Sequence, residues 1–179
     1  MSTVHLIEGP IGAGKSTYAT AFSARLGAPS ICLDRWFAML FRPDRPPAAD
    51  VDWYLERKAR CVEQIWQTAV EVLQTGSAVV LELGLVRRED RQAFDDRVDG
   101  SGFQLSIHVV DAPVDVRRER VRRRNIERGE TWSGGHHRRD VRTVDAMVAA
   151  SGRYRIQHSS GRTTSTGAEM TESLESWLL

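Results

Sequence analysis

Long apolar runs are absent from this chain, and cysteine and net charge are scarce. No apolar stretch approaches the roughly 20 residues that a helix needs to cross a bilayer, so a helical membrane span is not expected. No basic n-region followed by an apolar h-region opens the sequence, and the expected location is the cytoplasm. The two cysteines, Cys32 and Cys61, form no spaced motif, which argues against a zinc knuckle or a redox pair; two buried free thiols are expected. The 25 Lys and Arg against 24 Asp and Glu leave a formal charge of +1. No global field therefore draws the chain to nucleic acid, and a nucleic-acid partner is not expected.

What is present is the balance of a folded domain. Apolar residues make up 41% and charged residues 27% of the 179 positions, enough to bury a core in a single domain. No internal repeat or linker divides it. The arginines are uneven and crowd between Arg117 and Arg142, as a local anion site or a solvated helix face would require.

Short apolar runs alternate with amphipathic stretches. Strands are expected at Thr3–Glu8, Ser30–Leu33, Ala78–Leu83, Gln104–Val110 and Tyr154–His158. Helices are expected at Lys15–Leu26, Arg35–Phe41, from a cap at Asp50 to a stop at Gly76, at Arg88–Val98, and from Pro113 to about Arg128. Further helices are expected at Val141–Ala150 and Glu169–Leu178. Three prolines make Arg42–Asp50 a loop, and Gly134–Arg139 is expected to be mobile. Strand alternating with helix implies an α/β fold, with a parallel sheet covered on both faces. Ligands bind such sheets at the C-terminal strand ends, where Gly9, Asp34, Glu82 and Asp111 fall.

The strongest motif is Gly9-Pro10-Ile11-Gly12-Ala13-Gly14-Lys15-Ser16-Thr17, which satisfies G-x-x-x-x-G-K-[ST] between a strand and a helix. Four fixed positions match by chance in roughly one of some hundreds of chains this long, and the strand–helix context makes accident rarer. Glycines let backbone N–H groups turn toward a phosphate, and the helix start adds free N–H groups and its positive dipole end. Lys15 supplies a point charge to β- and γ-phosphates, and Ser16 a hydroxyl for Mg²⁺. ATP with Mg²⁺ is the expected cofactor pair.

An acid at a neighbouring strand end usually organises the metal. Asp34 is read as catalytic or metal-organising, with helix capping as the alternative. Glu82 is balanced between the two roles, and Asp111, before Ala112-Pro113, is read as a cap. Arg117, Arg120, Arg124 and Arg128 share one helix face, of which Arg120 and Arg124 are the candidates for nucleotide contact. Asp34, Arg35, Trp36, Glu82 and Arg87 are candidates for contacting the acceptor. Arg88 and Arg91 could reach an anionic acceptor. The adjacent His136 and His137 are a poor metal geometry and are read as surface loop.

GPIGAGKST, the acid in LDRWFAML, the strand segment AVVLELGLVRREDR and the segment VVDAPVDVRRERVRRRNIERGET, together covering roughly residues 3–131, resemble the small P-loop kinases. The likeness is closest to the AAA-type ATP-binding kinases that include chloramphenicol phosphotransferase and zeta-toxin-like proteins. The resemblance implies a three-layer P-loop NTPase sandwich with a parallel five-stranded sheet in the order 2-3-1-4-5, forming one domain over 1–179 with a mobile lid around 125–140. It implies transfer of the ATP γ-phosphoryl to a hydroxyl of a small molecule, an antibiotic or metabolite, by a monomer or homodimer. In that scheme Asp34 approaches the acceptor and acts as base, and Lys15, Mg²⁺, Arg120 and Arg124 neutralise the moving phosphoryl group. A nucleotide or nucleic-acid-end kinase, with an acceptor phosphate held by Arg35, Arg87, Arg88 and Arg91, is the enzymatic alternative. A regulatory ATP-binding module is the non-enzymatic one.

Overall fold

The computed structural model describes residues 1–127 and the strand at 155–159. Five strands, β1 (Thr3–Glu8), β2 (Ser30–Cys32), β3 (Val79–Glu82), β4 (Gln104–Val109) and β5 (Arg155–Ser159), form one sheet in the order β2-β3-β1-β4-β5. The order is the expected one. The first four strands run parallel, and β5 pairs antiparallel with β4, from Leu105↔Ser159 to Val109↔Arg155. This corrects the expectation of an all-parallel sheet. The interval between the last described helix, which ends at Glu127, and β5 far exceeds the two to six residues or so of a direct helix-to-strand loop. That length frees the last strand to enter from the other edge.

Side chains alternate across each strand. Val4 and Leu6 of β1, with Val79 and Leu81 of β3, face helix α3 (Val51–Gln74) and helix α4 (Arg88–Gly100). Ile7 and Val80 face helix α1 (Lys15–Leu26) with Tyr18 and Ala19. The sheet is therefore the middle of three layers. The α3 stripe Cys61, Ile65, Trp66, Ala69 and Leu73 is buried against it, each large side chain contributing about 1.5–3 kcal/mol. Asp50 starts α3 as expected, accepting the Trp53 N–H at 2.9 Å, a cap of about 1 kcal/mol.

Two expectations shift. Helix α2 (Leu33–Phe41) begins immediately after β2, which places Asp34 in its first turn instead of in a loop. No side chain caps α2, so Asp34 is not a cap; its charge favours the positive dipole end of the helix. The thiols are free, but only Cys61 is buried, Cys32 being half-buried. Burial raises the pKa of both. The helices expected at Val141–Ala150 and Glu169–Leu178, and the segment Gly134–Arg139, lie outside the described residues.

Candidate functional site

The phosphate loop spans Gly9 to Gly14, between β1 and α1. Gly9, Gly12 and Gly14 all have positive φ, at 142°, 81° and 103°. A Cβ on Gly9 would stand 2.0 Å from the Val110 carbonyl oxygen, and one on Gly12 would stand 2.5 Å from that of Arg117. These two glycines are thus required by contact with the chain running from β4 into helix α5 (Val114–Glu127), in addition to any need of a phosphate. Gly14 differs: its missing Cβ would meet only the tip of Arg120, at 3.5 Å. That position is the N-cap of α1, which no side chain caps, so the first N–H groups of the helix are left for a partner such as an anion. Tyr18 anchors the helix behind the loop, its hydroxyl 2.7 Å from Nδ1 of buried His108 on β4.

Lys15 Nζ donates to the Pro10 carbonyl at 3.1 Å, keeping the ammonium on the loop. Ser16 Oγ stands 2.9 Å and 3.2 Å from the two carboxylate oxygens of Glu82, which is 8% exposed at the end of β3. A hydroxyl backed by a buried carboxylate is a hard-oxygen donor set that suits Mg²⁺. Among the described residues no group of three or more His, Cys, Asp or Glu side chains gathers. Ser16 and Glu82 would hold Mg²⁺. Asp34, the other candidate, is exposed on α2, and among the described residues no hydrogen bond joins it to Ser16. Pro10 and Ala13 are buried in the loop, and Ile11 and Thr17 are exposed beside it.

The arginine face of α5 divides. Arg120 Nη1 donates to the Ala13 carbonyl at 3.1 Å and the Gly12 carbonyl at 3.4 Å, so it rests on the phosphate loop. Arg124 follows one turn later, exposed. Arg117 is 5% exposed and donates to the Ala112 carbonyl at 2.9 Å, with Asp111 3.8 Å away. Asp111 accepts the Ala112 N–H at 2.8 Å. This pair fastens the start of α5 and leaves Arg117 out of reach of a ligand. Arg128, His136 and His137 lie outside the described residues.

On the α3 side of the same strand ends, sequence patterning missed Glu8. It closes β1 on the face of Val4 and Leu6, a charge where the period-two pattern calls for an apolar side chain. Oε1 of Glu8 is sealed from solvent without a hydrogen-bond partner. Burial pushes the carboxyl up to about 7, against the pull of Lys15, Arg91, the Leu85 backbone and Lys58. Lys58 of α3 donates to the Gly84 carbonyl at 3.3 Å. Arg91 donates to the carbonyls of Leu85 and Val86 at 3.0 and 2.7 Å. Arg35 and Arg87 are exposed around this corner. Trp36 packs partly into the main core. Phe37 stacks among Phe41, Trp53 and Tyr54, joining α2 to α3.

A family model described as an AAA domain matches residues 4–151. A comparison with curated proteins finds no match. Among solved structures, a protein of Chloroflexus aurantiacus j-10-fl provisionally assigned as a kinase is 21% identical, with a TM-score of 0.63 over 82% of this chain and 79% of that one. A chain of the Pnkp1/Rnl/Hen1 RNA repair complex is 19% identical, with a TM-score of 0.63 over 94% of this chain; the match spans about half, 52%, of that longer chain. The APS kinase CysC of Mycobacterium tuberculosis, solved with AMPPNP and APS, is 16% identical, with a TM-score of 0.51 over 73% of this chain and 76% of that one. At these identities the likeness is one of fold, the α/β fold of P-loop kinases. Among the described residues no helix is long and apolar enough to cross a membrane.

Proposed function

The chain belongs to the AAA domain family, and from that premise we propose that it is an ATP-dependent phosphotransferase acting on a hydroxyl of a small molecule, an antibiotic or metabolite. The single observation that carries this is the Ser16–Glu82 pair beside Lys15 on a glycine cradle. It supplies a metal-binding hydroxyl, the acid behind it and the phosphate-binding cation in one place. The AMPPNP in the APS kinase structure supports ATP as the donor.

The backbone N–H groups from Gly12 to Ser16 bind the β-phosphate. Lys15 spans the β- and γ-phosphates, and Arg120, resting on the loop, adds charge on the α5 side with Arg124 beyond it. Ser16 and Glu82 hold Mg²⁺, which supplies charge neutralisation when bound. The acceptor enters between α2 and the Gly84–Arg87 turn, where Asp34 orients it and Arg35, Trp36 and Arg87 line the approach. Phosphoryl transfer asks the protein mainly for this positioning.

A screen of ATP consumption against antibiotics, sugars, nucleosides and an RNA with a free 5′-hydroxyl tests the proposal, with Lys15→Ala as the control. Acceptor-dependent ADP formation lost in Lys15→Ala supports it, and names the branch: an antibiotic would place the chain beside chloramphenicol phosphotransferase. Equal turnover by Lys15→Ala would refute the loop assignment. The end-kinase reading draws support from the fold likeness to the RNA repair complex. Its four-arginine acceptor site is weakened because Arg91 is bonded to two backbone carbonyls. A regulatory module would bind ATP tightly and be indifferent to Asp34→Asn.

A further inference from the structure

The chain contains 23 arginines but only two lysines, Lys15 and Lys58. They come from elements on opposite faces of the sheet, α1 and α3, and the charge of each favours ionisation of one carboxyl, that of Glu8. Lysine offers a compact ammonium on a flexible stem, whereas arginine offers a planar fork.

Glu8 ends the central strand one residue before the phosphate loop, on the face toward α3 and α4. The groups facing it are Lys15 from α1, Lys58 from α3, Arg91 from α4 and the Leu85 backbone from the β3–α4 turn. Lys58 and Arg91 are tethered to the carbonyls of Gly84, Leu85 and Val86, so they brace that turn. Among the described residues nothing donates to Oε1, although that atom is buried. A buried acceptor atom without a donor is costly unless a ligand hydroxyl completes it.

We infer that Glu8, rather than Asp34 alone, receives the proton of the acceptor hydroxyl, with Lys58 and Arg91 holding the turn that presents the acceptor to it. This rests on the phosphotransferase reading above. The acceptor oxygen bonds to the γ-phosphorus as the bond from that phosphorus to the ADP oxygen breaks. The hydroxyl proton passes to Oε1 of Glu8 and is later released to water. A carboxyl titrating near 7 is matched to that exchange at neutral pH, where a base must take up a proton and release it again. Asp34, exposed on α2, retains the orienting role.

Two measurements on the full chain decide it, and neither requires the natural acceptor. The first is ATP consumption with water as acceptor, followed from pH 5.5 to 8.5 in wild type, Glu8→Gln and Asp34→Asn. Wild type should gain rate as pH rises through about 7. Glu8→Gln should lose at least about 10²-fold in kcat and lose the inflection, with the KM for ATP unchanged. Asp34→Asn should keep the inflection. A Glu8→Gln enzyme with wild-type rate and pH profile overturns the inference, as does an inflection lost in Asp34→Asn.

The second measurement is NMR of the reductively ¹³C-methylated protein, whose two lysine side chains give two resolved signals assigned by Lys58→Arg. Both should shift across the Glu8 titration, and the shift should vanish in Glu8→Gln. Signals that ignore Glu8→Gln place the carboxyl elsewhere and overturn the inference. Wild-type ATP consumption no faster than Lys15→Ala, with the lysine shifts intact, would locate the failure in the phosphotransferase reading and remove the proton role with it.

Discussion

Glu8 and Glu82 end adjacent parallel strands, β1 and β3, yet face opposite layers of the molecule. Glu82 turns toward α1, where the Ser16 hydroxyl lies within hydrogen-bond distance of both its oxygens. Glu8 turns toward α3 and α4, where cations surround it but Oε1 has no donor. The same side chain at the ends of neighbouring strands is therefore hydrogen-bonded in one case and, among the described residues, buried with one oxygen lacking a donor in the other. What separates them is one step of strand alternation and the elements packed on each face.

Lys15→Ala should have the largest effect, because Lys15 lies on the phosphate loop and its charge also favours ionisation of Glu8. Transfer should fall by at least about 10³-fold with circular dichroism and thermal midpoint preserved; an inactive but unfolded variant would leave the charge role unsupported. Glu82→Gln attacks one side alone. It should cost about 10²-fold in rate and raise the Mg²⁺ concentration needed for half-maximal activity, measured by magnesium titration, whereas Glu8→Gln should leave that concentration where it is.

Gly12→Ala tests the scaffold beneath both glutamates. Its Cβ would meet the Arg117 carbonyl 2.5 Å away at a φ of 81°, so stability should fall by about 1–3 kcal/mol in urea unfolding. Glu8 makes a pH-dependent contribution to stability. The folded chain keeps this proton up to about 7, while an unfolded glutamate releases it near about 4.3. The favourable contribution is complete below the unfolded value and is lost as pH rises through about 7. The thermal midpoint of wild type relative to Glu8→Gln should therefore decline between pH 5 and pH 8, and a constant difference would contradict the burial of this carboxyl.

Patterning made the phosphate half legible. GPIGAGKST between a strand and a helix locates the loop, and Lys15–Leu26 is the helix the sequence predicts. Asp50 announces α3 because an N-cap is a local signal. The acceptor half was less legible because its chemistry depends on which face a side chain takes at the end of a strand. From sequence Asp34 is the stronger metal candidate of the two; the structure puts Asp34 in an exposed helical turn, because α2 begins at Leu33, and puts Glu82 on the Ser16 hydroxyl. Glu8 looked like the ordinary last residue of a strand, although its break in the apolar pattern of Val4 and Leu6 was available as a signal. The direction of β5 could not be read at all, since strand pattern is the same in either sense.

The contacts of Gly9, Gly12 and Arg120 bind the phosphate loop to the chain from Val110 to Arg120, and these three ties involve neither α2 nor α3. The phosphate loop is thereby tied by one set of joints, and the corner to which the proposed function assigns the acceptor is built on another, the Phe37 cluster. A scaffold jointed in this way lends itself to grafting: the segment from Asp34 through the Arg42–Asp50 loop can be exchanged for one of different shape while the loop keeps its bearings. On the proposed function, acceptor preference is then a replaceable part, and the phosphate loop a permanent one.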